Sequence, residues 1–298
     1  MSPSRAGTWR HVLGEARRQL GSEIDARRIV ERASGYDGTE LVVRMDELAP
    51  ERAVELVDSM VDRRRAGEPL QYVVGIWGFR TLDLLVDRRV LIPRPETELV
   101  VEVALRELAA FDSRDPVLVA DLGTGSGAIA LSVAQEAPPA RVWATDSSAE
   151  ALAVARANLA GMGSSVATRV RIAEGSWFDA LPDELHGRLD MVVSNPPYVG
   201  AGEELPPEVA GWEPVEALVA GPSGTEAIEE ILRSAPDWLS PSGVAVLEIA
   251  PHQADQALVL AGDAGLVDAV VRPDLTGRDR VLVARRGGGE ASGAVPGC

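Results

Sequence analysis

From Val117 to Ala284 the chain alternates short apolar runs with stretches of helical character, and this restricts the fold more than any other feature of the sequence. The runs Val117–Asp121, Arg141–Thr145, Arg169–Ala173, Leu189–Val193 and Val244–Ile249 have the length and β-branched content of strands. Ala128–Ala137, Ala149–Gly161, Glu226–Leu239 and Gln253–Ala264 read as helices between them, and Leu266–Arg272 and Arg280–Ala284 as two last strands. Strands separated by helices imply a mostly parallel sheet covered on both faces, so an α/β, doubly wound fold is expected.

The N-terminal part reads differently. From Thr8 to about Gly67, apolar residues recur at helical spacing (Val12, Ala16, Leu20; Val54, Val57, Met60, Val61), which predicts a small helical domain. Arg63-Arg64-Arg65 is read as a solvated helix end that complements the dipole, in preference to a nucleic-acid contact. Glu68–Arg80 and Leu82–Val90 are read as a hairpin, and Leu91–Glu98 as a proline-stiffened segment in which Glu96 or Thr97 starts the helix Glu98–Ala110. The expected organisation is a helical domain over 1–75, a hairpin linker over 76–92, an α/β domain over 93–285, and a Gly-rich, disordered tail over 286–298.

Composition excludes several classes of function. A net charge of −17 opposes loose, phosphate-dominated binding to nucleic acid, and every cation in the chain is an arginine. The single cysteine, Cys298, rules out an intrachain disulfide, and His11, His186 and His252 are too scattered for a Cys/His metal site, so no metal is expected. No apolar run approaches the ~20 residues of a membrane span, which makes the cytoplasm the expected compartment.

Two motifs carry chemistry. The first is the strand Val117–Asp121 followed by Gly123-Thr124-Gly125-Ser126-Gly127, a turn whose glycines let backbone approach a ligand closely. Asp146 follows at the end of the next strand, ~20 residues on, where a carboxylate can accept both hydroxyls of a ribose. Capping of the following helix is the plainer role for Asp146 beside Ser147 and Ser148, and the ribose role is favoured because the glycine turn precedes it. Trp177 lies after the third strand, placed either to stack on an adenine or to fill core.

The second motif is Ser194-Asn195-Pro196-Pro197-Tyr198, directly after a buried strand. Two prolines fix two φ angles and remove two donors, so the Asn195 side-chain oxygen and the Pro196 carbonyl can each accept one N–H of a planar NH2 group, with Tyr198 as a flat wall. A plain turn explains the tetrapeptide equally well on its own, and its place downstream of the glycine turn favours the ligand reading.

Taken together with Glu68–Tyr72, Leu91–Glu98, Glu213-Pro214 and Gly277–Arg280, these motifs resemble the HemK/PrmC family over roughly residues 8 to 285. The resemblance implies a class I S-adenosylmethionine-dependent methyltransferase sheet of seven strands, preceded by a five-helix domain and a hairpin. The implied activity is methylation of the glutamine side-chain amide in the Gly-Gly-Gln loop of class I peptide-chain release factors, by a monomer. By motif, Gly123, Thr124, Gly125, Ser126, Gly127, Asp146, Trp177 and Asn195 would hold S-adenosylmethionine. Asn195, Pro196, Pro197 and Tyr198 would hold the glutamine amide, with Asn195, Pro196 and Tyr198 carrying catalysis. Ser176 stands where family members often have an acid, and Ala250 where they often have glycine. Adenine N6 or another amide or amine is the alternative acceptor, since the pocket fixes the group and not its carrier.

Overall fold

The computed structural model describes residues 7–111 and 115–287. By contacts the chain falls into two compact units, one running through Trp77 with Val86–Arg88 and Leu205–Trp212, the other comprising Gly78–Leu85, Arg89–Glu204 and the chain from Glu213 on.

The first unit is built on α1 (Trp9–Leu20), α2 (Glu23–Ser34), α3 (Gly38–Val43), α4 (Glu51–Arg65) and α5 (Leu70–Val74). Thr8, Ser22 and Asp37 cap the first three helices with side-chain oxygens that accept backbone N–H groups of the first turn. The amphipathic faces meet over Trp9, Ile29, Val30, Leu41, Val57 and Val61, all nearly or fully buried. Burying each such side chain contributes about 1.5–3 kcal/mol against the entropy of ordering the chain.

The arginine triplet ends α4 with Arg63 and Arg65 exposed, as expected of a solvated helix end, and it also makes specific bonds: Arg63 donates to Glu68 (2.5 and 2.9 Å) and to the Tyr72 carbonyl, and the half-buried Arg64 donates to Asp25 (2.7 Å). Only Arg65 keeps an exposed helical pair, with Asp62. Leu70–Val74 is a helical turn closed by Gly75 at φ 72, not the start of a hairpin, because the left-handed glycine satisfies the Gln71 carbonyl before the chain extends.

The chain enters the second unit within β1 (Ile76–Phe79), which forms a two-stranded ribbon with β2 (Leu82–Leu85). The main sheet contains β3 (Val117–Leu122), β4 (Ala140–Asp146), β5 (Val170–Glu174), β6 (Leu189–Ser194), β9 (Leu239–Glu248), β10 (Leu266–Pro273) and β11 (Asp279–Arg286), in the order β5-β4-β3-β6-β9-β11-β10. Two short parallel strands, β7 (Val199–Gly200) and β8 (Val219–Gly221), stand apart from it. All strands of the main sheet are parallel except β11, which runs antiparallel to both neighbours. This is the class I methyltransferase sheet.

Helices α6 (Thr97–Leu108) and α7 (Ala128–Glu136) share one core with the Val119, Met191, Val193 and Val246 face of the sheet. Beyond α8 (Ala149–Gly161), α9 (Ser164–Ala167) and α10 (Pro207–Ala210) come α11 (Glu226–Trp238) and α12 (Ala254–Asp263). These last two share the other core with Ala120, Val192, Ala245 and Leu247. The period-two alternation within each strand thus supplies two cores at once. Strand β11 continues through Arg286, paired with Leu266, one residue into the expected tail; residues 288–298, with Cys298, lie outside the described residues. Among the described residues no helix is long and apolar enough to cross a membrane.

Candidate active site

Ligands of open α/β sheets bind where strand order reverses, outside the carboxyl ends of the strands. Here that point lies between β3 and β6, whose last residues Leu122 and Ser194 are register partners. The Ser194 hydroxyl donates to the Leu122 carbonyl at 2.6 Å, which pins the loops leaving the two strands side by side. Both motifs of the sequence therefore open at one place.

The first loop turns through Gly123, Gly125 and Gly127 at φ 72, 55 and 87, conformations that side chains disfavour. A Cβ on Gly125 would meet nothing within 4 Å, so bare backbone faces open space there, whereas one on Gly127 would press the Leu131 side chain at 3.1 Å. Asp121 shapes this loop from below. Its Oδ2 accepts the Thr124 hydroxyl (2.6 Å) and the Ala130 N–H (3.0 Å), while its Oδ1 is buried without a hydrogen-bond partner. Burial pushes this carboxyl up to about 7.

Asp146 ends β4 and accepts the Gly125 N–H on Oδ2 and the Ser148 N–H on Oδ1, both at 2.9 Å. Ser148, not Asp146, is the N-cap of α8, its hydroxyl accepting the Ala151 N–H. Each Asp146 oxygen thus spends one lone pair on the loop and keeps another for a ligand. Burial raises the Asp146 pKa. After β5 the chain passes Gly175, whose N–H donates to the Asp146 carbonyl at 3.0 Å. Trp177 follows at the unusual φ of 44, its ring half-buried beside Gly123.

Asn195 follows β6, and its Nδ2 donates to the Thr97 hydroxyl (3.1 Å), which in turn donates to Glu248 Oε2 (2.7 Å). With Nδ2 engaged, Oδ1 is the end of the amide left for a ligand. Glu248 is buried at the end of β9, and its Oε1 has no partner. The Tyr198 carbonyl accepts from Gln253 Nε2 at 3.1 Å, and burial followed by the nearby Glu248 pushes the Tyr198 phenol up to about 12, so the ring is neutral. Glu213 accepts both the Arg94 guanidinium (2.5 Å) and the Ile92 N–H (3.1 Å), stapling the proline-stiffened segment to the residues before Pro214.

Of the residues expected from sequence, Gly123, Gly125, Asp146, Trp177, Asn195 and Pro197 line one crevice of about 530 Å³, together with Val90, Leu91, Ser176, Pro214 and Glu216. Thr124, Ser126, Gly127, Pro196 and Tyr198 are not on its surface, and the first four are buried. Sequence reasoning missed Glu248 and Gln253, and treated Thr97 only as a helix start. Thr97 is instead the first residue of α6 with its hydroxyl turned away from helix capping. The signal for Glu248 was a lone acid closing an apolar strand. A nucleoside with a cationic, amino-acid-like arm fits this crevice: bare backbone at Gly125, an acid with free lone pairs for a diol, and an aromatic ring at one wall.

Two family models match the chain. Residues 9–75 match the PrmC N-terminal domain and residues 104–210 the methyltransferase small domain. The chain is 40% identical over 263 residues to a release factor glutamine methyltransferase of Xylella fastidiosa strain Temecula1, covering 88% of this chain and 92% of that one. A protein of the same name from Cereibacter sphaeroides is 41% identical, with 88% and 90% covered, and one from Moorella thermoacetica is 40% identical, with 94% and 99% covered. Fold and crevice define an S-adenosylmethionine-dependent methyltransferase. Within that class, the chain belongs to the release factor glutamine methyltransferase family.

Proposed function

We propose that this protein methylates the side-chain amide nitrogen (N5) of the glutamine in the Gly-Gly-Gln loop of class I peptide-chain release factors. The observation that carries the reading is Asn195, held by Thr97 with its Oδ1 free at the edge of the crevice that the glycine loop and Asp146 also line. Bound S-adenosylmethionine supplies an electrophilic methyl group on a sulfonium sulfur. Gly123 and Gly125 would receive its amino-acid arm against backbone, with Thr124, Ser126 and Gly127 shaping the loop beneath, Asp146 would accept its ribose hydroxyls, and Trp177 would lie against its base.

An amide nitrogen is a weak nucleophile because its lone pair is delocalised into the carbonyl. Asn195 Oδ1, at the crevice edge, is assigned one of its hydrogens and the carbonyl of Pro196, a residue beneath that surface, the other; the two together would orient the lone pair for transfer and favour pyramidal nitrogen. Pro196 and Pro197 keep these acceptors rigid, and Tyr198, neutral and half-buried, follows directly in the chain. Transfer of the methyl that S-adenosylmethionine would supply would leave the amide to give up one proton, and no ionised side chain of this site is needed to take it beforehand. The helical unit, over the residues that match the PrmC N-terminal domain, is assigned to recognition of the protein substrate. In this reading the enzyme acts in the cytoplasm as a monomer, without contact to nucleic acid.

The test is peptide mapping by mass of a release factor from the same organism after incubation with enzyme and S-adenosylmethionine. One methyl is expected on the Gly-Gly-Gln glutamine. Asn195→Ala should lower turnover about 100-fold while cofactor affinity changes little. Transfer to adenine or to a different amide, by enzyme that binds the cofactor, would overturn the substrate assignment.

A further inference from the structure

Three segments distant in sequence converge on one hydroxyl. Thr97 Oγ1 carries a single proton, and that proton is directed at Glu248 Oε2 (2.7 Å), so toward Asn195 the same oxygen offers only lone pairs. An amide has two unlike ends, and only its NH2 end can meet a lone pair. The charge on Glu248 therefore decides which end of Asn195 faces the crevice. We infer that Glu248, acting through Thr97, is a positioning residue that holds Asn195 with Oδ1 toward the substrate amide, and that its protonation releases this orientation. The inference rests on the reading that Asn195 binds the acceptor amide.

The two protonation states differ in a definite way. Ionised Glu248 is acceptor only, so Thr97 must donate to it and accept from Asn195 Nδ2. Glu248 protonated on Oε2, the oxygen facing Thr97, donates to Thr97 instead, which frees the Thr97 proton to point at Asn195. Asn195 then satisfies Thr97 equally well after a half-turn of its amide, with Oδ1 inward and NH2 toward the substrate. In that state two NH2 groups face each other and the pocket cannot accept. The surroundings place this change within reach of ordinary pH. Burial pushes Glu248 up to about 7, against the lowering effects of the Thr97 hydrogen bond, Arg280 and Arg94, with Glu96 raising it further. Tyr198, also facing it, stays neutral throughout the range.

The experiment is a pH profile of kcat at saturating cofactor and release factor, for wild type, Glu248→Gln, Thr97→Val and Thr97→Ser. Wild-type kcat is expected to fall as pH drops through about 7, the range of Glu248. Glu248→Gln should remove this acid limb and sit on a flat plateau roughly tenfold lower, because an amide side chain can present either end to Thr97. Thr97→Val should lose about 10- to 100-fold in kcat with little change in KM or cofactor affinity, and Thr97→Ser should restore wild-type turnover. Asp121 titrates in the same range, so an acid limb that survives in Glu248→Gln would assign the limb to Asp121 and overturn the inference. Wild-type kcat in Thr97→Val would overturn it too.

Should Thr97→Val fail to fold, the Glu248→Gln profile decides alone. A readout independent of the methyl acceptor is the side-chain ¹⁵N resonance of Asn195, identified by its loss in Asn195→Ala. It should titrate in wild type and stay fixed in Glu248→Gln, and a resonance that ignores pH in wild type would sink the relay. A titrating resonance in an enzyme inactive on the release factor would refute the substrate assignment and leave the relay standing.

Discussion

Asp146 holds the glycine loop at the crevice edge, its carboxylate accepting two backbone N–H groups. In the proposed reading Asp146→Ala removes the acceptor for the Gly125 N–H and for the ribose hydroxyls together. Hydrogen bonds to a charged group are each worth about 1.5–3 kcal/mol, so cofactor affinity should fall about 10- to 100-fold, read by calorimetric titration. An unchanged dissociation constant would remove Asp146 from the cofactor site. The glycines, this acid and Asn195 were legible in sequence because each follows an apolar strand directly, and a parallel sheet collects such positions at one edge. The Thr97–Glu248 pair was not legible. Sequence shows that a hydroxyl and a carboxylate exist, but not that α6 and β9 bring them within 2.7 Å.

At the scale of elements, the crevice wall depends on a staple between two loops without regular structure of their own. Glu213, nearly fully buried, ties Arg94 and the Ile92 N–H to the chain just before Pro214, and the residues flanking both ends of the staple line the crevice. Glu213→Ala leaves a guanidinium and a backbone donor without their acceptor, at a cost of about 1–3 kcal/mol. The expected outcome is a lower melting temperature together with weaker cofactor binding, whereas loss of stability alone would mean that the wall keeps its shape unaided. The sequence marked Leu91–Glu98 as stiff from its prolines, yet which acid would hold it was invisible, since Glu213 lies 119 residues beyond Arg94. Leu70–Val74 shows the opposite failure: β-branched and aromatic residues suggested a strand, and a left-handed glycine closed a helical turn instead.

For the whole molecule, two buried carboxyls with raised pKa values set a pH dependence of stability. Asp121 and Glu248 each shift up to about 7 in the folded state, so folding takes up protons between their unfolded values near 4 and about 7. Their contribution is complete below the unfolded values and is lost as pH rises through the folded ones. Wild-type melting temperature should therefore drop between about pH 5 and 8, and Asp121→Asn should flatten that drop, as followed by circular dichroism. An equal drop in the variant would show that Asp121 is not the group responsible. The pairing of Leu122 with Ser194 has a further consequence, this one for the order of events during synthesis. The glycine loop and Asp146 leave the ribosome well before β6, yet the wall bearing Asn195 exists only once that strand has threaded beside β3. A nascent chain carrying half the lining residues is thus still without the crevice, which forms only after one of the more distant pairings in the sheet has closed.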